Sequence, residues 1–311
     1  MITFSSSAYT LPAISLVASP TKRKAILELA IEAERRGFAG IACPSLGGTL
    51  GLCVSLAHAT STIPFWTSIQ PMYYSHPVEL GNTAAHIHEV SGGRFGLGIG
   101  VSHGPVVQRL GVATGKPLSD IANYVQAMRL HERFSGQLPQ IFLATLRDKM
   151  LALSTKVSQG AIWANASLRD IRRQVASIDT SHRDQFFMAN MVPTVISEDL
   201  EAAYAIHRKT LTGYVSLPNY RNYWRVAGYE KEMDNIESVI ANTPKESLAE
   251  QLQHAMTDEW LRDCTISGNA VQVRDQFSTW AQAGVLPIAV MSSTSGGQAK
   301  AVAELFAAFE H

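Results

Sequence analysis

Cysteine is scarce in this chain. There are three, Cys43, Cys53 and Cys264, in 311 residues, at spacings that match no metal-binding pattern. An odd and sparse set builds no disulfide framework and fits a reducing compartment. Charge of one sign is lacking too. Lysine plus arginine and aspartate plus glutamate number 26 each, giving a formal net charge of zero. No basic run or stripe offers a footprint for nucleic acid. No apolar stretch reaches the length of a membrane span. The amino terminus, MITFSSSAYTLPAISL, has no basic segment ahead of an apolar one, so no signal peptide is expected. These absences point to a cytoplasmic protein with neither nucleic acid nor membrane as partner. Low-complexity tracts, linkers and short repeats are missing as well.

What is present is a rhythm. The chain is 46% hydrophobic, and its length suits two domains or one large α/β barrel. In residues 22–37, KRKAILELAIEAERRG, the apolar Ile26, Leu29, Ala30 and Ala33 recur at helical spacing, with Pro20 or Thr21 to open the helix and Gly37 to end it. FAGIAC at 38–43 is a short apolar run, and residues 63–74, IPFWTSIQPMYY, are strand-like in composition. Residues 76–93 read as a helix closed by glycines and 94–101 as the next strand. Residues 118–134 form a helix with Leu118, Ile121, Val125 and Met128 on one side and Ser119 or Asp120 as its cap. Strands at 140–145, 160–167, 186–195 and 285–293 alternate with helices at 147–160, 167–178, 269–284 and 298–310. Repeated β-then-α order implies parallel strands with helical crossovers. With a strand near 13–18 the count reaches about eight, which favours a closed TIM (β/α)8 barrel over an open sheet. The stretch from about 199 to 269 shows no convincing strand and reads as a helical insertion after strand 7. The expected organisation is a single domain, 1–311, carrying that insertion.

The most informative segment is SGGRFGLGIGVSHGP, residues 91–105. A dinucleotide fingerprint starting at Gly98 would need glycine at 103, which is His103, and the glycines lie within the strand and not after it. Gly100-Val101-Ser102-His103-Gly104 matches the G-x-S-x-G nucleophile elbow. Asp170, Asp184, His182 and His207 are available downstream, yet no oxyanion segment precedes the motif, and Leu46-Gly47-Gly48 is a poor substitute. His76, His86, His88 and His103 cluster in sequence, but helical residues two apart do not face each other, so no metal site is expected. Period-two geometry accounts for the three alternating glycines. Phe95, Leu97, Ile99 and Val101 share one strand face, and Gly96, Gly98 and Gly100 share the other. The bare face leaves room inside a barrel, either for tight packing by a neighbour or for close approach of a flat ligand.

Together these segments resemble the bacterial luciferase-like monooxygenase family, whose members are flavin- or deazaflavin-dependent oxidoreductases. The resemblance rests on Thr67-Ser68-Ile69 through His76-Pro77, on Ser91 to Gly100 as the most specific piece, and on Lys116-Pro117-Leu118 with Tyr124 and Arg129. It continues through Ile141 to Thr145, Gly160-Ala161-Ile162 and Leu217 to Asn222, and so covers most of the chain. It implies a TIM barrel with an insertion after strand seven and a cofactor at the carboxyl-terminal mouth, either FMN or the deazaflavin coenzyme F-420. By position, Ser68-Ile69 corresponds to a non-proline cis peptide behind the ring. Gly98, Gly100, Ser102 and His103 correspond to the end of the fourth strand, near the ring and its ribityl chain. Ala144, Thr145, Leu146 and Arg147 correspond to a phosphate-binding turn, where helix-start amides face an anion. The family often places an acid or histidine just after strand two. Here Ile41-Ala42-Cys43-Pro44-Ser45-Leu46-Gly47 offers neither, which leaves His103 as the catalytic candidate, for proton transfer or for a hydrogen bond to the cofactor. Small-molecule substrates and a homodimer are the family-level expectations. The aromatic stretch Tyr214, Tyr220, Tyr223 and Trp224 either shapes substrate entry or packs helices or subunits. A serine esterase using Ser102 and a barrel without activity are the alternatives.

Overall fold

The computed structural model describes residues 10–46 and 48–310. The signal-peptide reading of residues 1–9 and Gly47 of the Leu46-Gly47-Gly48 segment lie outside them. Ten strands form: β1 (Ala13–Ser15), β2 (Ile41–Cys43), β3 (Phe65–Thr67), β4 (Gln70–Pro71), β5 (Phe95–Gly100), β6 (Ile141–Ala144), β7 (Gly160–Ala164), β8 (Phe187–Ile196), β9 (Ile266–Gly268) and β10 (Leu286–Ser292). The sheet order is β10-β1-β2-β3-β5-β6-β7-β8, and β10 also pairs with β8. This is a closed parallel barrel of eight staves with helices between them, the TIM-type fold. β3 and β4 are two pieces of one stave. β9 is an addition to β8, in register from Thr194 opposite Ile266 to Ile196 opposite Gly268.

Chain contacts group into two units. One runs as far as Trp163 and takes in Ile178–Ala189; the other holds Ala164–Ser177 and the chain from Asn190 onward. In the first unit, Arg23–Arg35 buries Ile26, Ala30 and Ala33, as its spacing predicts. The helix starts later than Pro20 or Thr21. Thr21 has φ +66, outside helical space, and Lys22 is the cap residue without a side-chain bond. Gly37, at φ +76, ends it as expected. Pro117–Ser135 buries Ile121, Val125 and Met128, but neither Ser119 nor Asp120 caps it; proline occupies its first position and Lys116 precedes it.

In the second unit, five helices follow β8: Leu200–Val215, Pro218–Val226, Glu230–Asn242, Lys245–Ala255 and Asp258–Cys264. The reading of this region as strand-free fails at β9, whose three residues are too short to give a period-two signal. The aromatic stretch packs helices. Tyr214 and Tyr220 meet edge-on at 5.0 Å, Tyr220 and Trp224 lie 5.4 Å apart, and Trp224 and Trp260 stand perpendicular at 4.8 Å, all within the usual range for aromatic pairs. Tyr223 Oη accepts the Ser167 amide at 3.0 Å, and Trp224 Nε1 donates to the Asn165 carbonyl at 3.2 Å. Tyr220, Tyr223 and Trp224 are buried, so they neither meet substrate nor form a subunit surface.

At the amino-terminal end of the first unit, one carboxylate oxygen organises a turn. Glu34 Oε1 accepts the amides of Ser61, Thr62 and Ile63 at 2.6–2.8 Å and the Thr62 hydroxyl at 3.1 Å. Partial burial raises its pKa, but these bonds outweigh it, and the carboxyl sits below its ordinary 4.5. A depressed carboxylate adds stability that is full above its unfolded pKa and disappears as pH falls through the folded one. The Tm difference between wild type and Glu34→Gln is therefore expected to be constant from neutral pH down to about 4.5 and to close in more acid solution. A difference that persists unchanged in acid would refute the charge-dependent role.

Candidate functional site

The residues singled out at the mouth gather on three adjacent staves of the first unit. Ser68 and Ile69 join β3 to β4. Gly98 and Gly100 lie in β5, with Ser102 and His103 just beyond it. Ala144 ends β6, and Thr145, Leu146 and Arg147 form the turn after it. All are at carboxyl ends of strands, where barrels of this type keep their chemistry.

The third stave is not a continuous strand. Trp66 is level with Gly96, and Gln70 with Ile99. Four steps along one strand therefore match three along the other (66 to 70 against 96 to 99), which is a bulge of one residue. The extra residue falls at Ser68–Ile69, whose peptide bond is cis. The sequence reads straight through this break because every residue around it has strand-like composition.

The bulge explains Gly98 and Gly100, and it corrects the expectation of open space beside them. A Cβ added at Gly98 would overlap the Thr67 carbonyl oxygen and lie 3.1 Å from Ile162 Cδ1. One added at Gly100 would lie 2.7 Å from Ala144 Cβ and 3.0 Å from Ile69 Cδ1. The room is filled, by backbone and small apolar groups and not by one bulky side chain. The Thr67 hydroxyl donates to the Gly98 carbonyl at 2.6 Å and pins the same contact from the other side. The two glycines are the seat of the bulge.

Ser68 and Thr145 flank this seat. They are 6% and 4% exposed, and neither hydroxyl has a hydrogen-bond partner among the described residues. A buried hydroxyl without a partner costs about 1–3 kcal/mol, so two of them on staves either side of β5 are a polar pair without a counterpart among the described residues. The Thr145 amide, by contrast, is used: it donates to the Ile162 carbonyl at 2.9 Å as part of the barrel ladder. It does not face an anion, as the phosphate-turn reading supposed. Arg147 is exposed and is the cap residue of Asp148–Val157. Asp148 in that first turn puts negative charge where a helix favours an anion.

His103 is half-buried, and burial pushes its pKa below the ordinary histidine value. It is therefore neutral at neutral pH, with one donor and one acceptor nitrogen, and suits a hydrogen bond better than a supply of protons. Ser102, beside it, has φ +64 and stands between β5 and the helix Gly104–Leu110, a helix the sequence did not reveal. Strand, left-handed serine and helix have the outline of a nucleophile elbow. The chemistry does not follow, because Ser102 bonds to no histidine among the described residues. His207 is held by Ser267 Oγ at 2.9 Å and Asp170 by Arg173 at 2.6 Å, while His182 and Asp184 are exposed.

Other candidates resolve locally. His76 Nδ1 accepts the Val78 amide at 3.3 Å as a helix cap. His86 is exposed and His88 buried, on opposite sides of one helix. Among the described residues no three histidines, cysteines or acids gather as a metal site would require. All three cysteines are free and buried. After β2 the rim offers Leu46, 59% exposed, and no ionisable group.

One network escaped sequence reading. Asp120 Oδ2 accepts both the Tyr73 hydroxyl at 2.6 Å and the Gly115 amide at 2.8 Å, and the Tyr124 hydroxyl donates to the Ser75 carbonyl at 2.8 Å. Burial first, and then the bond to Asp120 and its charge, push Tyr73 up to about 12. These bonds fasten the segment after β4 and the end of the 104–116 segment to the helix Pro117–Ser135.

Residues 3–286 match the family model described as luciferase-like monooxygenase. A 5,10-methylenetetrahydromethanopterin reductase of Archaeoglobus fulgidus is 21% identical over 272 residues, covering 79% of this chain and 82% of that one. The coenzyme F420 dependent tetrahydromethanopterin reductase of Methanopyrus kandleri superposes with a TM-score of 0.76 at 16% identity, covering 95% of this chain and 97% of the other. The oxygenating constituent of 3,6-diketocamphane monooxygenase from Pseudomonas putida, solved with FMN, gives 0.61 at 14% identity, covering 96% and 95%.

Proposed function

The chain belongs to the luciferase-like monooxygenase family, and on that premise we propose that it is an oxidoreductase whose flavin or deazaflavin ring is held at the mouth between β3/β4, β5 and β6. The observation that carries this reading is the pair of buried hydroxyls, Ser68 and Thr145, on either side of β5, without partners among the described residues. Polar groups of a ring and its side chain are the partners they lack, so the residues present fit such a group. Ser68 and Ile69 would form the floor, Gly98 and Gly100 would support that floor, and Ser102 and His103 would border it at the end of β5. Ala144, Thr145, Leu146 and Arg147 would border it at the end of β6, with Thr145 using its hydroxyl and not its amide. The cofactor supplies hydride transfer, and as FMN also reaction with oxygen. His103, neutral, donates or accepts one hydrogen bond at the ring. Apolar Leu46, where an acid or histidine is absent, leaves proton supply to other groups or to solvent.

The reading extends to a small organic substrate, a single barrel domain with its insertion at about 199–269, and a cytoplasmic homodimer. No described helix is long and apolar enough to cross a membrane.

Titration with FMN and with the deazaflavin tests it and selects the cofactor. Ser68→Ala and Thr145→Val are each expected to weaken binding about 5–10-fold, the worth of one hydrogen bond. Neither should lower the Tm of the cofactor-free protein, since each removes an unsatisfied hydroxyl. No spectral change with either cofactor would sink the proposal. The left-handed Ser102 keeps hydrolysis as the second reading; ester turnover abolished by Ser102→Ala, in a protein that binds neither ring, would put it first.

A further inference from the structure

A cavity lies at the end of the first unit opposite the mouth residues. It has a volume of about 310 Å³ and is lined by His88, Phe95, Arg129, Glu132, Ile141 and Gln159, among others. Phe95 and Ile141 are the first residues of β5 and β6, and Gln159 directly precedes β7. The cavity is thus at the amino-terminal ends of the staves that carry the mouth residues at their other ends. Strands rise about 3.3 Å per residue, so the six residues of β5 put it on the order of 15–20 Å from Ser102. It is a separate place.

Its wall holds two opposite charges that are not spent on each other. Arg129 forms no ion pair or hydrogen bond among the described residues. Glu132, one turn further along the same helix, uses Oε1 to accept the Leu138 amide at 2.9 Å and forms no ion pair among the described residues. His88 is 8% exposed, and its Nδ1 has no partner among the described residues. The ring lies against the Phe95 backbone carbonyl, and burial holds its pKa below the ordinary value. It therefore presents an acceptor nitrogen. Gln159 Oε1 is engaged by the Ile141 amide at 3.0 Å, which leaves its NH₂ as a donor. The lining thus offers donors from Arg129 and Gln159, and acceptors with a negative charge from Glu132 and His88.

We propose that this cavity binds a small zwitterion, with its carboxylate on Arg129 and its ammonium on Glu132, aided by His88 Nδ1. Residues three apart on a helix hold their Cβ atoms about 5–6 Å apart, which matches a compact ligand with a carboxylate and an ammonium separated by a few methylenes. The volume is at the small end of ligand pockets. An anion alone would meet Glu132, and a cation alone would meet Arg129.

Glycine, β-alanine and γ-aminobutyrate serve as probes of increasing charge separation, with acetate and ethylammonium as single-charge controls. Calorimetry and melting curves on the whole protein are expected to show saturable binding and a rise of a few degrees in Tm for at least one zwitterion and for neither control. Arg129→Ala and Glu132→Gln should each abolish it. Both are mild for the fold: Arg129 is exposed, and glutamine keeps an oxygen for the Leu138 amide. Cofactor titration should be unchanged in both variants, which separates this proposal from the reading of the mouth. Absence of binding by all three zwitterions, binding of a control as tight as theirs, or binding that survives both substitutions would overturn it.

Discussion

Replacing Arg94 by methionine is expected to destabilise the protein by about 3–5 kcal/mol, the range for removing one side of a buried charged network. Arg94 is 5% exposed, and all five of its donors are used. Nε donates to the Ser91 carbonyl, Nη1 to Thr60 Oγ1 and the Ile63 carbonyl, and Nη2 to the Ala57 and Thr60 carbonyls, at 2.9–3.0 Å. One planar group thus ties the end of the helix Thr49–Ala59 and the turn into β3 to the end of the helix Pro77–Val90. Methionine fills similar space but leaves four carbonyls and a hydroxyl without donors, each costing about 1–3 kcal/mol if none is reached by water. Lysine keeps the charge but offers three donors from one point, so Arg94→Lys should recover only part of the loss. Chemical denaturation measures both. A methionine variant within about 1 kcal/mol of wild type would contradict the network's role, against the range expected.

The second large effect is expected at Gly98. Alanine there collides with the Thr67 carbonyl oxygen, which is backbone and cannot rotate away as a side chain would. Either β5 or the bulge must move, and overpacking of this kind costs about 1–3 kcal/mol or more. Movement of the bulge displaces Ser68, so Gly98→Ala should also weaken cofactor binding well beyond the single-hydroxyl variants. Gly51→Ala provides the contrast. It lies in the helix Thr49–Ala59 with nothing within 4 Å of an added Cβ, and should be neutral or stabilising by up to about 1 kcal/mol through helix propensity. Equal melting temperatures for the two alanine variants would show that the contact at Gly98 does not constrain the fold.

Both predictions concern the segment from Ser91 to Gly100, and they show how far the sequence could be read. The helix Arg23–Arg35, its buried face and its stop at Gly37 were legible because a helix face repeats every 3.6 residues whatever packs on it. The strand Phe95–Gly100 and its bare face were legible for the same reason at period two. The positions at the mouth were also legible, since strand ends are set by local order. The occupant of the bare face was not. It depends on the register of β5 against β3 and β4, and on one extra residue at Ser68–Ile69 that leaves no mark in composition. Asp120 was misread as a cap because its partners, Tyr73 and Gly115, come from other segments. Arg94 drew no attention, since its acceptors are carbonyls that every residue has.

By itself, then, the sequence determined the parallel βα order, the faces of its helices, the strand that carries alternate glycines and the positions of the mouth residues. These follow from periodicity and local backbone preference. The tertiary structure alone decided that Gly98 and Gly100 seat a backbone bulge and that, among the described residues, the buried hydroxyls of Ser68 and Thr145 have no partners and Arg129 and Glu132 line a cavity without ion pairs. Each of these depends on which atoms of distant residues come within a few ångströms, and on which donors and acceptors the folded chain leaves over.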